Sequence, residues 1–280
     1  MIQKKIVLLA DPVNKSLSHL LQNFLLKKMA FPAEYSLQQT PINLLEETIQ
    51  QLKSENFLGG NLSHPLKQAI IPLVDEMTPI AKSAQSINTI VYQEGLLKAT
   101  TTDGEGFFNS WLKNFPAKEL YFLGGGGATL AIINAANTFG VHHIFILQRK
   151  NQRFFTLEQK VKQLEKNARL KITLVPWTTA NLQLFLQQEY LVQATTQGLK
   201  GENFLPPDFH FRSNQKVFDL IYAGNLTPFL QAAKNDGAYY QNGLGMLVEQ
   251  GVLSFTFWTG LHIPADLKIQ AYHLLEGSLQ

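Results

Sequence analysis

Four consecutive glycines, Gly124 to Gly127, stand between an apolar run with strand character and an apolar run with helix character. They constrain this chain more than any other feature. Leu120-Tyr121-Phe122-Leu123 precedes them, and Ala128 to Ala136, rich in Ala, Ile and Leu, follows. A strand that turns at glycines into a helix gathers backbone N–H groups at the positive end of a helix dipole, where phosphate binds. A Cβ there obstructs both the turn and the approach of a pyrophosphate. The spacing Gly124-x-Gly126-x-x-Thr129 departs from the dinucleotide fingerprint only at its third position, usually Gly or Ala. Taken alone, such a turn reads either as a phosphate cradle or as a plain tight connection.

The downstream sequence favours the cradle. A second strand pattern, His143-Ile144-Phe145-Ile146-Leu147, ends about 20 residues on, where NAD-binding units carry an acidic residue for the ribose hydroxyls. Here the chain reads Gln148-Arg149-Lys150-Asn151-Gln152-Arg153, with no carboxylate and with cations at Arg149, Lys150 and Arg153. A 2′-phosphate is matched by Arg or Lys, and Arg adds a planar fork that stacks on adenine. The pattern predicts NADP rather than NAD. The bland reading is a solvated basic loop, and the position directly after the second strand is what argues against it.

At 280 residues the chain has room for two domains, each with a core. The net charge of +3 gives no reason to invoke nucleic acid. Cysteine is absent, which excludes disulfides, thiolate metal sites and a cysteine nucleophile. Lys4-Lys5 followed by Ile6 to Ala10 is too short for a signal segment and ends at Asp11-Pro12. No stretch reaches the length of a membrane span. The expectation is a soluble, cytoplasmic protein.

Strand-like and helix-like segments alternate along the chain, which predicts an α/β fold. Strands are expected at Lys5–Ala10, Glu34–Gln38 and Phe57–Leu62, and helices at Ser18–Met29 and Leu44–Lys53. Pro65 is expected to open another helix at a favoured position. Ile87–Tyr92 and Leu96–Ala99 read as a hairpin around Glu94-Gly95. After the glycine turn come a helix near Leu157–Asn167 and strands at Lys171–Val175, Leu191–Ala194 and Val217–Ile221. Gly243–Trp258 and Ala265–Leu275 read as helices, with Phe255 and Trp258 in the core. The boundary between domains is expected near Asp103.

Polar clusters interrupt the apolar pattern of the first half. Ser16-Leu17-Ser18 follows the first strand and reads either as a helix cap or as donors to a small carboxylate. Asn61-Leu62-Ser63-His64-Pro65-Leu66-Lys67 follows the third strand. Asn88-Thr89 and Thr101-Thr102-Asp103-Gly104 flank the hairpin. Polar residues at the carboxyl ends of strands are where ligands collect in α/β sheets. A Lys with an Asp nearby suits acid–base work on a hydroxyl or carbonyl; a surface Lys and a helix-capping Asp are the alternative.

From about residue 6 to about residue 260 the chain resembles the shikimate dehydrogenase family. The resemblance is carried by Ser16-Leu17-Ser18, by Gly59-Gly60-Asn61-Leu62-Ser63-His64-Pro65-Leu66-Lys67, by Ser86-Ile87-Asn88-Thr89 and by Thr101-Thr102-Asp103-Gly104-Glu105-Gly106-Phe107. It continues through Gly124-Gly125-Gly126-Gly127-Ala128, Gln148 to Arg153, Asp219-Leu220-Ile221-Tyr222 and Asn242-Gly243-Leu244-Gly245-Met246-Leu247-Val248-Glu249-Gln250. So many motifs in one order are hard to obtain by chance.

The resemblance implies a two-domain fold: an N-terminal mixed-sheet substrate domain, residues 1–102 completed by 243–280, and a Rossmann-type NADP-binding domain, residues 103–242. It implies NADP-dependent reduction of 3-dehydroshikimate to shikimate, a step of aromatic amino acid (chorismate) biosynthesis. Lys67 and Asp103 are the implied catalytic pair. Ser16, Ser18, Ser63, Asn88, Tyr222 and Gln250 are the implied substrate residues. The implied cofactor residues are Gly124, Gly125, Gly126, Gly127, Ala128, Gln148, Arg149, Lys150, Arg153, Gly243 and Met246. A monomer or homodimer is expected, with no metal and with no nucleic acid or membrane as partner. Two related readings are a quinate/shikimate dehydrogenase with broader cofactor use and a catalytically slack NADP-binding regulatory relative.

Several positions depart from the family pattern: Lys15 for His, His19 for Pro, Gln22 for His, Leu66 before the catalytic Lys, Thr101 and Gln148 for Asn, Lys150 for Thr and Asn242 for Asp. Most are expected to face solvent or to support the site from behind. Lys67 and Asp103 are intact.

Overall fold

The computed structural model describes residues 3–13, 16–111, 115–167 and 170–279. Lys15, and residues 1, 2 and 280 of the expected domain limits, lie outside the described residues. The chain forms two compact units, one of Met1–Gly106 with Leu247–Ser278 and one of Phe107–Met246 with Leu279–Gln280.

The first unit opens with β1 (Lys4–Ala10), whose last five side chains are buried, and α1 (Ser18–Lys28), which buries Leu21, Leu25 and Leu26. There follow β2 (Ala33–Gln39), α2 (Leu45–Ser54), β3 (Phe57–Leu62), α3 (Leu66–Ala69), β4 (Glu76–Met77), α4 (Pro79–Ala84), β5 (Thr89–Gln93) and β6 (Leu96–Thr100). The sheet order is β2-β1-β3-β5-β6-β4. β1 runs parallel to β2 and β3, whereas β5 is antiparallel to both β3 and β6, so the sheet is mixed. All six residues of β3 are buried, as a central strand covered on both faces requires. The core on one face runs from Val7 and Leu9 through Ile49, Leu52, Leu62, Leu66 and Ile90 to Leu97.

Pro65 does not open the following helix as its first residue. It is the N-cap residue, and α3 is a single turn. Pro72 lies just beyond, inside a short 3₁₀ turn at Ile71–Leu73. A proline has no N–H to continue an α-helix, so the helical run stops early.

The second unit holds an all-parallel sheet. α5 (Asp103–Ser110) enters it, and β7 (Glu119–Leu123), α6 (Gly127–Ala136), β8 (His143–Gln148), α7 (Gln152–Asn167), β9 (Lys171–Pro176), α8 (Thr179–Leu186), β10 (Tyr190–Gln193), β11 (Lys216–Asp219), α9 (Pro228–Asn235) and β12 (Tyr239–Asn242) follow. The order is β12-β11-β10-β7-β8-β9. The chain starts in the middle, winds outward through β8 and β9, then returns to β10 on the other side of β7. The crevice outside the carboxyl ends of β7 and β10 is therefore the switch point at which doubly wound sheets bind ligands. Phe107, Trp111, Phe122 and Phe218 meet edge-on or tilted at centroid distances of 5.0–6.2 Å beneath this sheet.

Two helices end the fold, α10 (Leu244–Thr259) and α11 (Ala265–Ser278). Within the first unit, Phe255 and Trp258 of α10 are buried, and Trp258 Nε1 donates to Ile90 O at 2.9 Å, which ties α10 to β5.

Candidate active site

β3 and β6 of the first unit end beside one another's loops, and two charges meet there. Lys67 Nζ, on the single turn after β3, donates to Asp103 Oδ2 at 2.6 Å. Asp103 opens α5 directly after β6. The Asp103 side chain is 9% exposed and the Lys67 side chain 29%. The carboxylate is thus fixed inside the protein while the ammonium keeps one side open to a ligand.

Asn88 holds the other carboxylate oxygen. Its Nδ2 donates to Asp103 Oδ1 at 2.8 Å and to Thr102 Oγ1 at 2.9 Å, with Gln250 Oε1 at 3.4 Å. Its Oδ1 accepts the Thr102 backbone N–H at 2.9 Å. That backbone donor fixes which end of the amide faces Asp103. Asn88 is only 2% exposed, so much of its hydrogen-bonding capacity is spent on the protein.

Behind Asn88 lies a buried polar network. Asn61 Nδ2 reaches Asn88 O, Thr89 Oγ1 and Ser254 Oγ at 3.0–3.1 Å, and Asn61 Oδ1 accepts from the Tyr35 hydroxyl at 2.9 Å. Ser254 Oγ also lies 2.8 Å from Thr89 Oγ1 and 3.3 Å from Thr102 Oγ1. Burial raises the Tyr35 phenol far above its ordinary pKa, with a smaller opposing effect from Ser18. Asn61 and Thr102 belong to the expected polar clusters without an assigned role, and Ser254 and Tyr35 lie outside the expected site. Ser254 carried a signal: it is four residues after Gln250 on an otherwise apolar helix face.

The remaining expected substrate residues of this unit are distributed around that core. Ser16 Oγ accepts the Ser18 N–H at 3.2 Å, a local turn at the start of α1, and the N-cap residue Leu17 supplies no side-chain cap. His19 Nδ1 lies 2.8 Å from Ser16 O. Ser18 is buried and Ser63 half-buried. Gln250 Nε2 donates to Leu247 O at 2.9 Å, leaving Oε1 toward Asn88.

In the second unit the glycine turn divides into two pairs. Gly124 has φ +102°, and a Cβ there would fall 2.5 Å from Thr195 Cγ2; one on Gly125 would fall 2.2 Å from Leu157 Cδ2. The backbone conformation demands glycine at Gly124, whereas at Gly125 the Leu157 side chain would have to shift to admit a Cβ. A Cβ on Gly126 or Gly127 would meet nothing within 4 Å. Gly126 is the N-cap of α6 and Gly127 its first residue, followed by half-buried Ala128. Open space over bare backbone at a helix N-terminus fits the phosphates of a dinucleotide.

Gln148 Oε1 accepts the Gly125 N–H at 3.0 Å and so braces the turn. Arg149, Lys150 and Arg153 are exposed beyond β8. The Arg153 N–H is held by Asn151 Oδ1 at 3.0 Å. Gly243 is buried, and a Cβ on it would fall 2.2 Å from Leu220 O, so the fold itself requires this glycine. Met246 is half-buried in the first turn of α10, and Tyr222 lies shortly after β11 with its pKa raised by burial.

A parallel sheet with a glycine turn at its switch point, in one chain with a mixed-sheet unit bearing a Lys–Asp pair, defines the class of two-unit pyridine-nucleotide oxidoreductases. Comparison with known proteins narrows the class. Residues 8–90 match the shikimate dehydrogenase substrate binding domain, and residues 243–271 match the shikimate 5'-dehydrogenase C-terminal domain. Shikimate dehydrogenase (NADP(+)) of Latilactobacillus sakei is 36% identical over 264 residues, 90% of each chain. Shikimate 5-dehydrogenase of Listeria monocytogenes, solved with shikimate and NAD, superposes with a TM-score of 0.87 at 29% identity over 96% of each chain. The Thermus thermophilus enzyme, solved with NADP(H) and shikimate, gives 0.82 at 29% identity, covering 97% of this chain and 99% of that one. The chain belongs to the shikimate dehydrogenase family.

Proposed function

We propose that this chain catalyses the reversible NADP-dependent reduction of 3-dehydroshikimate to shikimate, a step of aromatic amino acid (chorismate) biosynthesis, with Lys67 and Asp103 as its catalytic pair. The observation that carries the assignment of the pair is the 2.6 Å contact between Lys67 Nζ and the fixed Asp103 carboxylate. When bound, the nicotinamide supplies the hydride that reaches C3 of the ketone. As charge grows on the C3 oxygen, the Lys67 ammonium stabilises it and delivers a proton. In reverse, neutral Lys67 takes the proton from the hydroxyl. Asp103, held by Asn88, keeps the ammonium in place.

Ser16, Ser18 and Tyr222 suit the ring carboxylate, and Ser63, Asn88, Asp103 and Gln250 suit the ring hydroxyls. Groups placed to pair hydroxyls discriminate strongly against analogues that lack them. Met1–Gly106 with the C-terminal helices serves as the substrate unit, and Phe107–Met246 as the NADP unit. There Gly124 to Gly127 and Ala128 serve as the phosphate turn, and Gly243 and Met246, in the chain's return to α10, serve as further cofactor residues. Arg149, Lys150 and Arg153, exposed after β8, suit a 2′-phosphate, and Gln148 braces the turn. Among the described residues no helix is long and apolar enough to cross a membrane. A cytoplasmic monomer or homodimer fits this reading.

Absorbance at 340 nm with shikimate or quinate, and with NADP or NAD, tests the assignment. Turnover restricted to shikimate with NADP is expected. Lys67→Ala should lower kcat by about 10²–10⁴-fold, the usual worth of a positioned acid–base group, and leave NADP binding intact. An Ala variant with nearly unchanged kcat would remove Lys67 from the chemistry.

A further inference from the structure

One buried acid has no part in this chemistry. Asp219 ends β11 and is fully buried. Its Oδ1 accepts the Ile221 N–H at 2.9 Å, and its Oδ2 accepts the Thr227 hydroxyl at 2.7 Å. Thr227 is the N-cap of α9, and its Oγ1 also accepts the Leu230 N–H at 3.3 Å. A single carboxyl therefore ties both ends of segment 220–227 to the end of a core strand. The near end is gripped a second time: the Gly243 N–H donates to Ile221 O at 3.2 Å. Tyr222 is the next residue.

We infer that Asp219 is a positioning residue for Tyr222, setting where the phenol stands by stapling segment 220–227 at both ends, and so acting on shikimate affinity rather than cofactor affinity. The inference rests on the proposed role of Tyr222 at the substrate. A carboxyl suits the task because it offers two acceptor oxygens in a fixed fork; a hydroxyl offers one. Its neighbours are neutral. Gln193 and Asn242 stand in register with it on the flanking strands, and Thr227 faces it from α9. The charges carried by β11 and α9, Lys216 and Lys234, are at the far ends of those elements, and β10 and β12 carry none.

With no cation among these neighbours to offset burial, the Asp219 carboxyl is pushed up to about 7, against smaller lowering effects of Thr227 and the Ile221 N–H. A segment that lifts away returns the carboxyl to water and to its ordinary acidity. The stapled state is the one that binds the proton more tightly, so it is favoured at low pH and weakens as pH rises through about 7.

The test uses the full chain with Asp219→Asn, Asp219→Ala and Tyr222→Phe, reading both KM values and the shikimate-induced shift in Tm. Asparagine keeps an oxygen for the Ile221 N–H and turns its NH2 to Thr227 Oγ1, so it copies the neutral acid. D219A should raise shikimate KM about tenfold, with NADP KM changed less than about twofold. Wild-type shikimate KM should rise between about pH 4 and 7 and level off above that, while D219N stays at the wild-type low-pH value throughout. In the Tyr222→Phe background D219A should add nothing to shikimate KM. If D219A does not fold, the pH comparison with D219N decides alone. The inference is overturned if D219N follows the wild-type pH curve, if D219A raises both KM values alike, or if its effect multiplies with that of Y222F. If Y222F itself leaves shikimate KM and the Tm shift unchanged, the substrate role of Tyr222 fails first and the staple's purpose with it.

Discussion

Replacing Asp103 with asparagine changes one oxygen to an NH2 and leaves the shape intact, yet neither orientation of the amide fits. Oδ2 accepts from Lys67 at 2.6 Å and Oδ1 accepts from Asn88 at 2.8 Å. An amide has one acceptor, so its NH2 must face either the Lys67 ammonium or the Asn88 NH2. Asn88 cannot turn round to relieve the second case, because its Oδ1 is held by the Thr102 backbone N–H at 2.9 Å. The group free to give way is the partly exposed Lys67. Losing a hydrogen bond from a charged donor costs about 1.5–3 kcal/mol. Displacing a reacting group by about 1 Å costs on the order of 10²-fold in rate, and complete loss of proton delivery about 10²–10⁴-fold. Asp103→Asn should therefore lower kcat by about 10²–10³-fold, or roughly 3–4 kcal/mol in the barrier. NADP KM should hold, since the glycine turn belongs to the other unit. The assay is steady-state absorbance at 340 nm, varying each substrate, with Tm as the control for folding. A folded D103N enzyme with kcat within about threefold of wild type would refute the claim that this carboxylate governs the ammonium.

Gly124→Ala and Gly126→Ala should separate fold from cofactor. At Gly124 the positive φ and the Thr195 contact make alanine cost about 1–3 kcal/mol, seen as a lower Tm. At Gly126, with φ −80° and open space, alanine should leave Tm unchanged and raise NADP KM. Asp219 should also mark the pH dependence of stability. Its acidity in the folded state is raised to about 7, so the folded chain holds a proton that the unfolded chain gives up near pH 4. Wild-type stability should thus fall, relative to Asp219→Asn, as pH rises from about 4 to 7, by on the order of a few kcal/mol, and level off above that. Denaturant melts of both proteins across this range measure it; a constant difference refutes the buried-acid assignment.

Periodicity located the strongly apolar elements. β3 begins and ends where expected, and β1, β8, β9 and α10 differ from expectation by about one residue at either end, the usual ambiguity of element limits. It failed where packing rather than pattern makes the element. β12 reads Tyr-Tyr-Gln-Asn, an edge strand with only half-buried or exposed side chains and no apolar alternation to find. β4 is two residues long, held by its parallel pairing with Lys98 and Ala99. α8 and α9 were legible in principle, since Thr178 and Thr227 cap them by accepting the N–H groups of Asn181 and Leu230. A Thr-Pro pair at the start of α9 is a sequence signal for such a helix start. At the site, residue types and motif order named Lys67 and Asp103, but no spacing along the chain gives a distance between side chains 36 residues apart. The supporting network was less legible still, because Asn61, Thr89, Thr102 and Ser254 come together from four separate elements or loops.

The departures from the family pattern follow a physical rule once the partners are known. Asn242 stands where an acid is usual, and its Oδ1 accepts the Leu244 N–H at 3.1 Å, a capping bond that asparagine makes as well as aspartate. Gln148 replaces asparagine and still offers an amide oxygen, taken up by the Gly125 N–H. Gln22 replaces histidine and still donates, to Gly251 O at 2.9 Å, joining α1 to α10. Each exchange retains a hydrogen bond that the fold can use. Leu66 differs in kind: it is fully buried in the core of the first unit rather than facing solvent, so its position is chosen by packing. Thr101 makes no such bond, for its buried Oγ1 has no partner among the described residues, and the Oε1 of Gln22 is left without one as well. An unmet buried hydroxyl costs about 1–3 kcal/mol, and it stands two residues before Asp103. Among the described departures, Thr101 is one whose loss the fold does not make good.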